Sequence, residues 1–260
     1  MTEPAAMPTI TPLPAFRDNY IWALHDGRQA VVVDPGAAAP VLDFLRQHRL
    51  ELAAILVTHH HADHCGGLAE LAVAHACPVY GPQRESISGV THPVGEGERL
   101  AVAGERLTVW EIPGHTRGHL AFVAAGGVFC GDTLFGAGCG RVFDGSLPQL
   151  YQSLQRLAAL PDDTRIYCAH EYTLANLRFA LACEPDHLPI RQRQRDTEAL
   201  RAAGLPSLPS NIGLERATNP FLRCAEPAVR QAAERYAGQP LSDELAVFSV
   251  LRGWRSAFTV

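Results

Sequence analysis

The 260-residue sequence has no apolar run long enough to cross a bilayer, so a membrane-spanning helix is not expected. Residues 1–10 lack both a basic start and an apolar stretch, so no secretory leader is expected either. No CxxC pair occurs among the seven cysteines, which stand at 65, 77, 130, 139, 168, 183 and 224. An odd number of scattered thiols argues against a disulfide framework and for a reducing compartment, and a cytoplasmic location is the expectation. Basic residues are not in excess: 22 Lys and Arg stand against 27 Asp and Glu, a net charge of −5. That balance excludes the broad basic face of a nucleic-acid binder but leaves room for a local basic pocket. Repeats and low-complexity tracts are absent.

What is present is an ordinary globular composition, 47% apolar, with length enough for a large core and a smaller appendage. The densest chemistry lies in Thr58-His59-His60-His61-Ala62-Asp63-His64, directly after the apolar run 53–57. That run reads as a buried strand and residues 66–76 as a helix, so the imidazoles occupy a strand-to-helix loop. In an extended segment alternate side chains share a side. His59 and His61 can then converge on one metal, Asp63 and His64 can hold a second, and His60 points away. Asp63 could instead be a helix cap. Packing alone does not explain so many polar rings beside a carboxylate, since each needs a partner. The H-x-H-x-D-H spacing resembles the signature of the metallo-β-lactamase superfamily.

Taken in order, residues 9–35 read as paired strands turning at Asp26-Gly27 and ending in Asp34-Pro35-Gly36. Asp34 is either a turn residue or, as the resemblance implies, a group beside the metals. A helix is expected at 39–49, a strand at 77–80, a hairpin at 100–112 turning at 103–105, and a helix at 147–160. Pro113-Gly114-His115-Thr116-Arg117-Gly118-His119 forms a tight loop; by resemblance His115 is the third histidine of the first metal, and His119 a supporting hydrogen-bonding group. Asp132 ends the apolar strand 128–131, a costly place for a carboxylate unless it is paired or metal-bound, and would bridge two metals. Strand 165–169 delivers His170 to the second metal. Cys65 and Cys139, beside these residues, are small fillers rather than ligands. The expected sets are therefore His59, His61 and His115; Asp63, His64 and His170; and Asp132 between them. The two ions are zinc by expectation, with iron or manganese compatible with the same donors.

The resemblance also implies an α/β fold, a four-layer αβ/βα sandwich over residues 1–172. Beyond it, helical patterns at 173–183, 187–203, 228–237 and 242–256, broken at 204–209, suggest a small all-helical domain over 173–260. Over nearly its full length the chain resembles the glyoxalase II (hydroxyacylglutathione hydrolase) family. The matching pieces include Asp18 to Trp22, Thr58 to Gly67, Pro113 to His119, Gly131 to Phe135, Gly138 to Gly145, His170 to Thr173, Ala217 to Arg223 and Leu251 to Phe258. That family resemblance implies a glutathione pocket of Arg141, Phe143, Tyr172, Arg252 and Arg255. Basic side chains suit the two carboxylates of glutathione, and Arg252 and Arg255, three apart, share a helix face. Some family members carry lysine in place of Arg141 and Arg255, and tyrosine in place of Phe143, which here supplies no hydroxyl.

The implied chemistry is hydrolysis of S-D-lactoylglutathione to glutathione and D-lactate by a monomer. A water activated between two metals attacks the thioester, and Asp63 and Asp132 are the catalytic carboxylates. A persulfide dioxygenase using one iron, a lactonase or β-lactamase-like hydrolase, and a non-enzymatic metal-binding scaffold are the competing readings. The helical C-terminal region and its arginines favour the thioesterase, and the full ligand set disfavours the scaffold.

Overall fold

The structure, a computed structural model, describes residues 8–259. The expectation of no leader at residues 1–10 falls mostly outside them. The chain divides into two compact units: one runs to Glu111 and resumes at Thr116–Gly131, and the other comprises Ile112–His115 and everything from Asp132 onward.

The first unit opens with β1 (Thr9–Ala15), β2 (Asn19–His25) and β3 (Gln29–Val33), followed by α1 (Ala38–His48) and β4 (Glu51–Leu56). Next come α2 (Ala62–Cys65), α3 (Leu68–Ala74), β5 (Val79–Pro82) and β6 (His92–Val94). The six strands form one mixed sheet in sequence order, antiparallel from β1 to β3 and parallel from β3 to β6. Val31, Val32 and Val33 face Ala54, Ile55 and Leu56 across the β3–β4 ladder, and all six are buried. Such continuous β-branched and aliphatic runs suit strands covered on both faces. Helix α1 sets Val41, Phe44 and Leu45 into the core with Ile21, Ile55 and Leu71. Each such side chain contributes about 1.5–3 kcal/mol on burial. The unit closes with an antiparallel meander, β7 (Arg99–Val102), β8 (Glu105–Glu111), β9 (Leu120–Ala124) and β10 (Gly127–Gly131).

The second unit begins with the short hairpin β11 (Leu134–Phe135) and β12 (Gly138–Cys139) and the helix α4 (Leu147–Ala158). Ser146 caps α4 by accepting from the Gln149 amide. Strand β13 (Arg165–Cys168) precedes α5 (Thr173–Cys183) and α6 (Leu188–Ala202). Then follow β14 (Ser210–Asn211), antiparallel to β13, α7 (Ile212–Thr218), α8 (Pro227–Ala237) and α9 (Glu244–Ala257). Asp243 caps α9 through the Ala246 amide at 2.8 Å. Phe179 of α5, Phe221, and Phe248 and Trp254 of α9 pack with ring centroids 5.1–5.9 Å apart. Buried beside them, Glu215 takes hydrogen bonds from Arg193 (2.5 Å), Ser210, the Ala137 amide (2.9 Å) and Asn219 (3.0 Å).

The expected helices and strands are present, with ends shifted by one to three residues. The expected helix 66–76 is present as α3, shortened to Leu68–Ala74, and the short α2 (Ala62–Cys65), which was not anticipated, precedes it across Gly66 and Gly67. The short elements β6, β14 and α7, and strand β9, were not anticipated.

Candidate metal and substrate site

In the first unit the loop after β4 carries Thr58 to His61, and α2 carries Asp63 and His64. Thr58 and His64 are held by Asp34, which is buried just past β3 in the left-handed region (φ 55°). Its carboxylate accepts from the Thr58 amide (2.7 Å), from the Thr58 hydroxyl (2.8 Å) and from His64 Nδ1 (3.0 Å). These bonds fix proton positions. The Thr58 hydroxyl donates to Asp34, so its oxygen accepts from His59 Nδ1, 3.0 Å away. His59 and His64 therefore carry their protons on Nδ1 and present Nε2 lone pairs. His59 Nε2 faces His61 Nδ1 at 3.0 Å, and His64 Nε2 faces Asp63 Oδ2 at 3.5 Å. Asn19 Nδ2 steadies Asp63 by donating to Oδ2 at 3.0 Å. The backbone is equally close: a Cβ on Gly36 would lie 1.9 Å from the Asp63 carbonyl oxygen, so only glycine fits.

The second unit repeats the device. His115 Nδ1 donates to the Arg141 carbonyl at 2.8 Å, which leaves its Nε2 lone pair 3.5 Å from Asp132 Oδ2. The other Asp132 oxygen lies 3.3 Å from His170 Nε2. One carboxylate thus offers an oxygen to each of two imidazoles. At Gly140 a Cβ would meet the Asp132 carbonyl oxygen at 1.9 Å and His115 Nδ1 at 3.1 Å.

These donors fit divalent metal ions. Lone pairs facing carboxylate oxygens at 3.3–3.5 Å repel unless a cation lies between them. Histidines with the far nitrogen pinned by a carboxylate, a hydroxyl or a carbonyl have the orientation metal ligands need. Histidine and aspartate groups able to hold a metal ion are present among the described residues.

Other expectations resolve by contact. His60 turns out of the set and pairs with Glu85 at 2.8 Å. Glu85 also accepts from Thr116 Oγ1 (2.5 Å) and the Gly118 amide (3.1 Å), so one carboxylate ties the histidine loop to residues 116–118 of the same unit. It lies 25 residues from His60 and carries no motif signal, so sequence reasoning missed it. His119 stacks on His59, with centroids 4.6 Å apart and planes 21° apart. Cys65 donates to the His60 and His61 carbonyls, and burial raises its thiol pKa. All seven cysteines are free, five buried and two half-buried.

The five residues expected at a substrate pocket all lie in the second unit. Tyr172 stacks on His170 (4.7 Å, 6°), and exposed Phe143 meets His115 edge-on at 5.0 Å. Buried Arg252 donates to the Cys139 carbonyl (3.1 Å) and to Ser256 Oγ (3.2 Å), over the Phe221 ring. Arg255 donates to Asn176 Oδ1. Burial lowers the Arg255 pKa, and the charges of Arg252 and Arg141 lower it further. Among the described residues, none of these three arginines is ion-paired with a carboxylate. Arg193, Arg216 and Arg223, by contrast, are paired with Glu215, Asp162 and Glu184. The sequence contains no lysine, so the cationic side chains among these five residues are all guanidiniums.

Comparison with known proteins follows this division of chemistry. The family model described as the metallo-beta-lactamase superfamily matches residues 15–170, and that described as the hydroxyacylglutathione hydrolase C-terminus matches residues 171–258. The chain is 49% identical over 254 residues to a Nitrosomonas europaea protein named hydroxyacylglutathione hydrolase, covering 97% of each chain. It is 54% identical over 253 residues to the protein of that name from Alkalilimnicola ehrlichii, covering 96% of this chain and 99% of that one. Among solved structures it resembles TTHA1623 in a di-iron-bound form, with a TM-score of 0.60 and 27% identity over 82% of this chain and all of that one.

Proposed function

Because the chain belongs to the hydroxyacylglutathione hydrolase family, within the metallo-β-lactamase superfamily, it is a metal-dependent thioester hydrolase, and we propose that its substrate is S-D-lactoylglutathione, cleaved to glutathione and D-lactate in the second step of methylglyoxal detoxification. The observation that carries this reading is the double use of Arg141. Its carbonyl oxygen holds His115, assigned as a ligand, while its side chain belongs to an arginine cluster that no carboxylate among the described residues neutralises. A metal ligand and an anion receptor are thereby fixed to one residue.

We assign His59, His61 and His115 to one divalent ion, Asp63, His64 and His170 to a second, and Asp132 to both. Zinc suits the donors best, and iron or manganese is compatible with them. Residues 1–172 form the catalytic domain and 173–260 the substrate-binding domain, a division supported by two family models that meet at 170 and 171. Seven free thiols suit a cytoplasmic enzyme, and a monomer suffices, since one chain supplies every residue assigned.

Metal ions held there would supply a bound water with its pKa brought to about 7 and a Lewis acid for the thioester carbonyl. The protein supplies orientation. Asp34, through Thr58 and directly, and the Arg141 carbonyl hold three histidines with Nε2 facing inward. Asp63, held by Asn19, orients the attacking water. Arg141, Arg252 and Arg255 receive the glutathione carboxylates with charge-assisted bonds. The glutathione thiolate is a good leaving group, so no dedicated general acid is required.

Thiol release from S-D-lactoylglutathione by purified protein tests this reading. Turnover abolished by a chelator and restored by zinc is expected, and Asp132→Ala should lose metal and activity together. No turnover from a fully metallated sample would discard the substrate assignment.

A further inference from the structure

We propose that Asn176 is a specificity-determining positioning residue, an uncharged acceptor that aims Arg255 at the anionic end of the substrate without neutralising it. The inference rests on the thioesterase reading above and names a residue through which that reading acts.

Asn176 lies in the first turn of α5 and is buried. Its Nδ2 donates to the Gly136 carbonyl at 3.0 Å, and a carbonyl can only accept, so the amide oxygen is the atom turned to Arg255. Oδ1 accepts from both Nε and Nη2 of Arg255, each at 3.3 Å. The hairpin closes tightly on this amide, since a Cβ on Gly138 would lie 2.3 Å from Nδ2. Elsewhere in the unit the chain steadies guanidiniums with carboxylates, Glu215 for buried Arg193 and Glu184 for half-buried Arg223. At Arg255 it uses an isosteric amide instead. Nearby Arg252 is buried, with Nε lacking a hydrogen-bond partner, and among the described residues no carboxylate pairs with it either. The pocket thus keeps its full positive charge for an incoming carboxylate, and a carboxylate at 176 would satisfy Arg255 from within.

The test is Asn176→Asp, assayed on S-D-lactoylglutathione and on the lactoyl thioester of N-acetylcysteamine, which has the same acyl group and no charge. For the glutathione thioester KM should rise about tenfold with kcat changed less than about twofold, and kcat/KM for the neutral thioester should hold within about twofold. An equal loss on both substrates, or an unchanged KM, overturns the proposal. Asn176→Ala removes the aim without adding charge and should raise the glutathione-thioester KM about threefold with the same split. Where the aspartate variant does not fold, the alanine variant decides by that split. A wild-type enzyme that hydrolyses the neutral thioester as well as the glutathione thioester refutes the parent reading instead.

Discussion

Replacing Asp34 by asparagine changes one oxygen to a nitrogen and should disable two of the histidines assigned to the metals, His64, which it touches, and His59, which it reaches only through Thr58. In the native protein Oδ1 takes the Thr58 amide, while Oδ2 takes the Thr58 hydroxyl and His64 Nδ1. An asparagine keeping Oδ1 on the amide places Nδ2 at the position of Oδ2, where it donates in both directions. His64 Nδ1 must then accept, and its proton moves to Nε2. The Thr58 oxygen must accept too, so its hydroxyl hydrogen swings toward His59 Nδ1, 3.0 Å away, and His59 changes tautomer as well. Two of the imidazoles assigned to the metals thus lose the Nε2 lone pairs that ligation needs. Outer partners of this kind are worth about 10–100-fold in metal affinity, or about 1.4–2.8 kcal/mol. Asparagine tolerates the left-handed backbone at this position, so strain adds little. Three bonds losing their charge assistance should cost about 2–3 kcal/mol of stability. Metal retention against graded chelator and urea unfolding measure the two effects, and nitrogen NMR of the metal-free protein reports the tautomers. Native metal affinity with both Nδ1 protons in place would refute the reasoning.

Glu215→Ala leaves Arg193 buried without its carboxylate and should destabilise the protein by about 3–5 kcal/mol in urea unfolding; a loss below about 1 kcal/mol would contradict the pairing. Gly36→Ala drives a methyl into the Asp63 carbonyl and should lower metal content and Tm together, read by elemental analysis and calorimetry. The His25 pKa is lowered below 6.5, first by burial and then by His48. The unfolded chain therefore takes the proton more readily, and the stability involved is complete above pH 6.5 and lost as pH falls below it. His25→Phe, which keeps the packing against Phe44, should flatten the decline in urea midpoint between about pH 7 and 5.

The residues proposed as ligands could be picked out of the sequence because their chemistry is local. His59, His61, Asp63 and His64 fall within six residues, and His115, Asp132 and His170 each follow an apolar strand pattern. Long helices such as α5 and α9 were legible for the same reason, since periodicity accumulates over several turns. Asp34 was ambiguous, since a turn aspartate and a histidine-orienting aspartate look alike until His64, 30 residues away, is seen beside it. Glu85 and Asn176 were invisible, because their roles consist of contacts 25–33 and 79 residues distant. Of the elements missed, α2, β6, β14 and α7 are too short for a pattern to rise above composition.

A pocket of guanidiniums without an ammonium has a chemical consequence. Thioesters acylate primary amines, and a lysine near the reacting carbonyl would compete with water for the acyl group. Lysine becomes a nucleophile when burial lowers its pKa, whereas arginine stays protonated and its planar cation is a poor nucleophile. With no lysine anywhere in the chain, long exposure to substrate should leave its basic side chains unmodified by mass spectrometry. The pocket can concentrate an acyl donor without offering it a side-chain amine to attack.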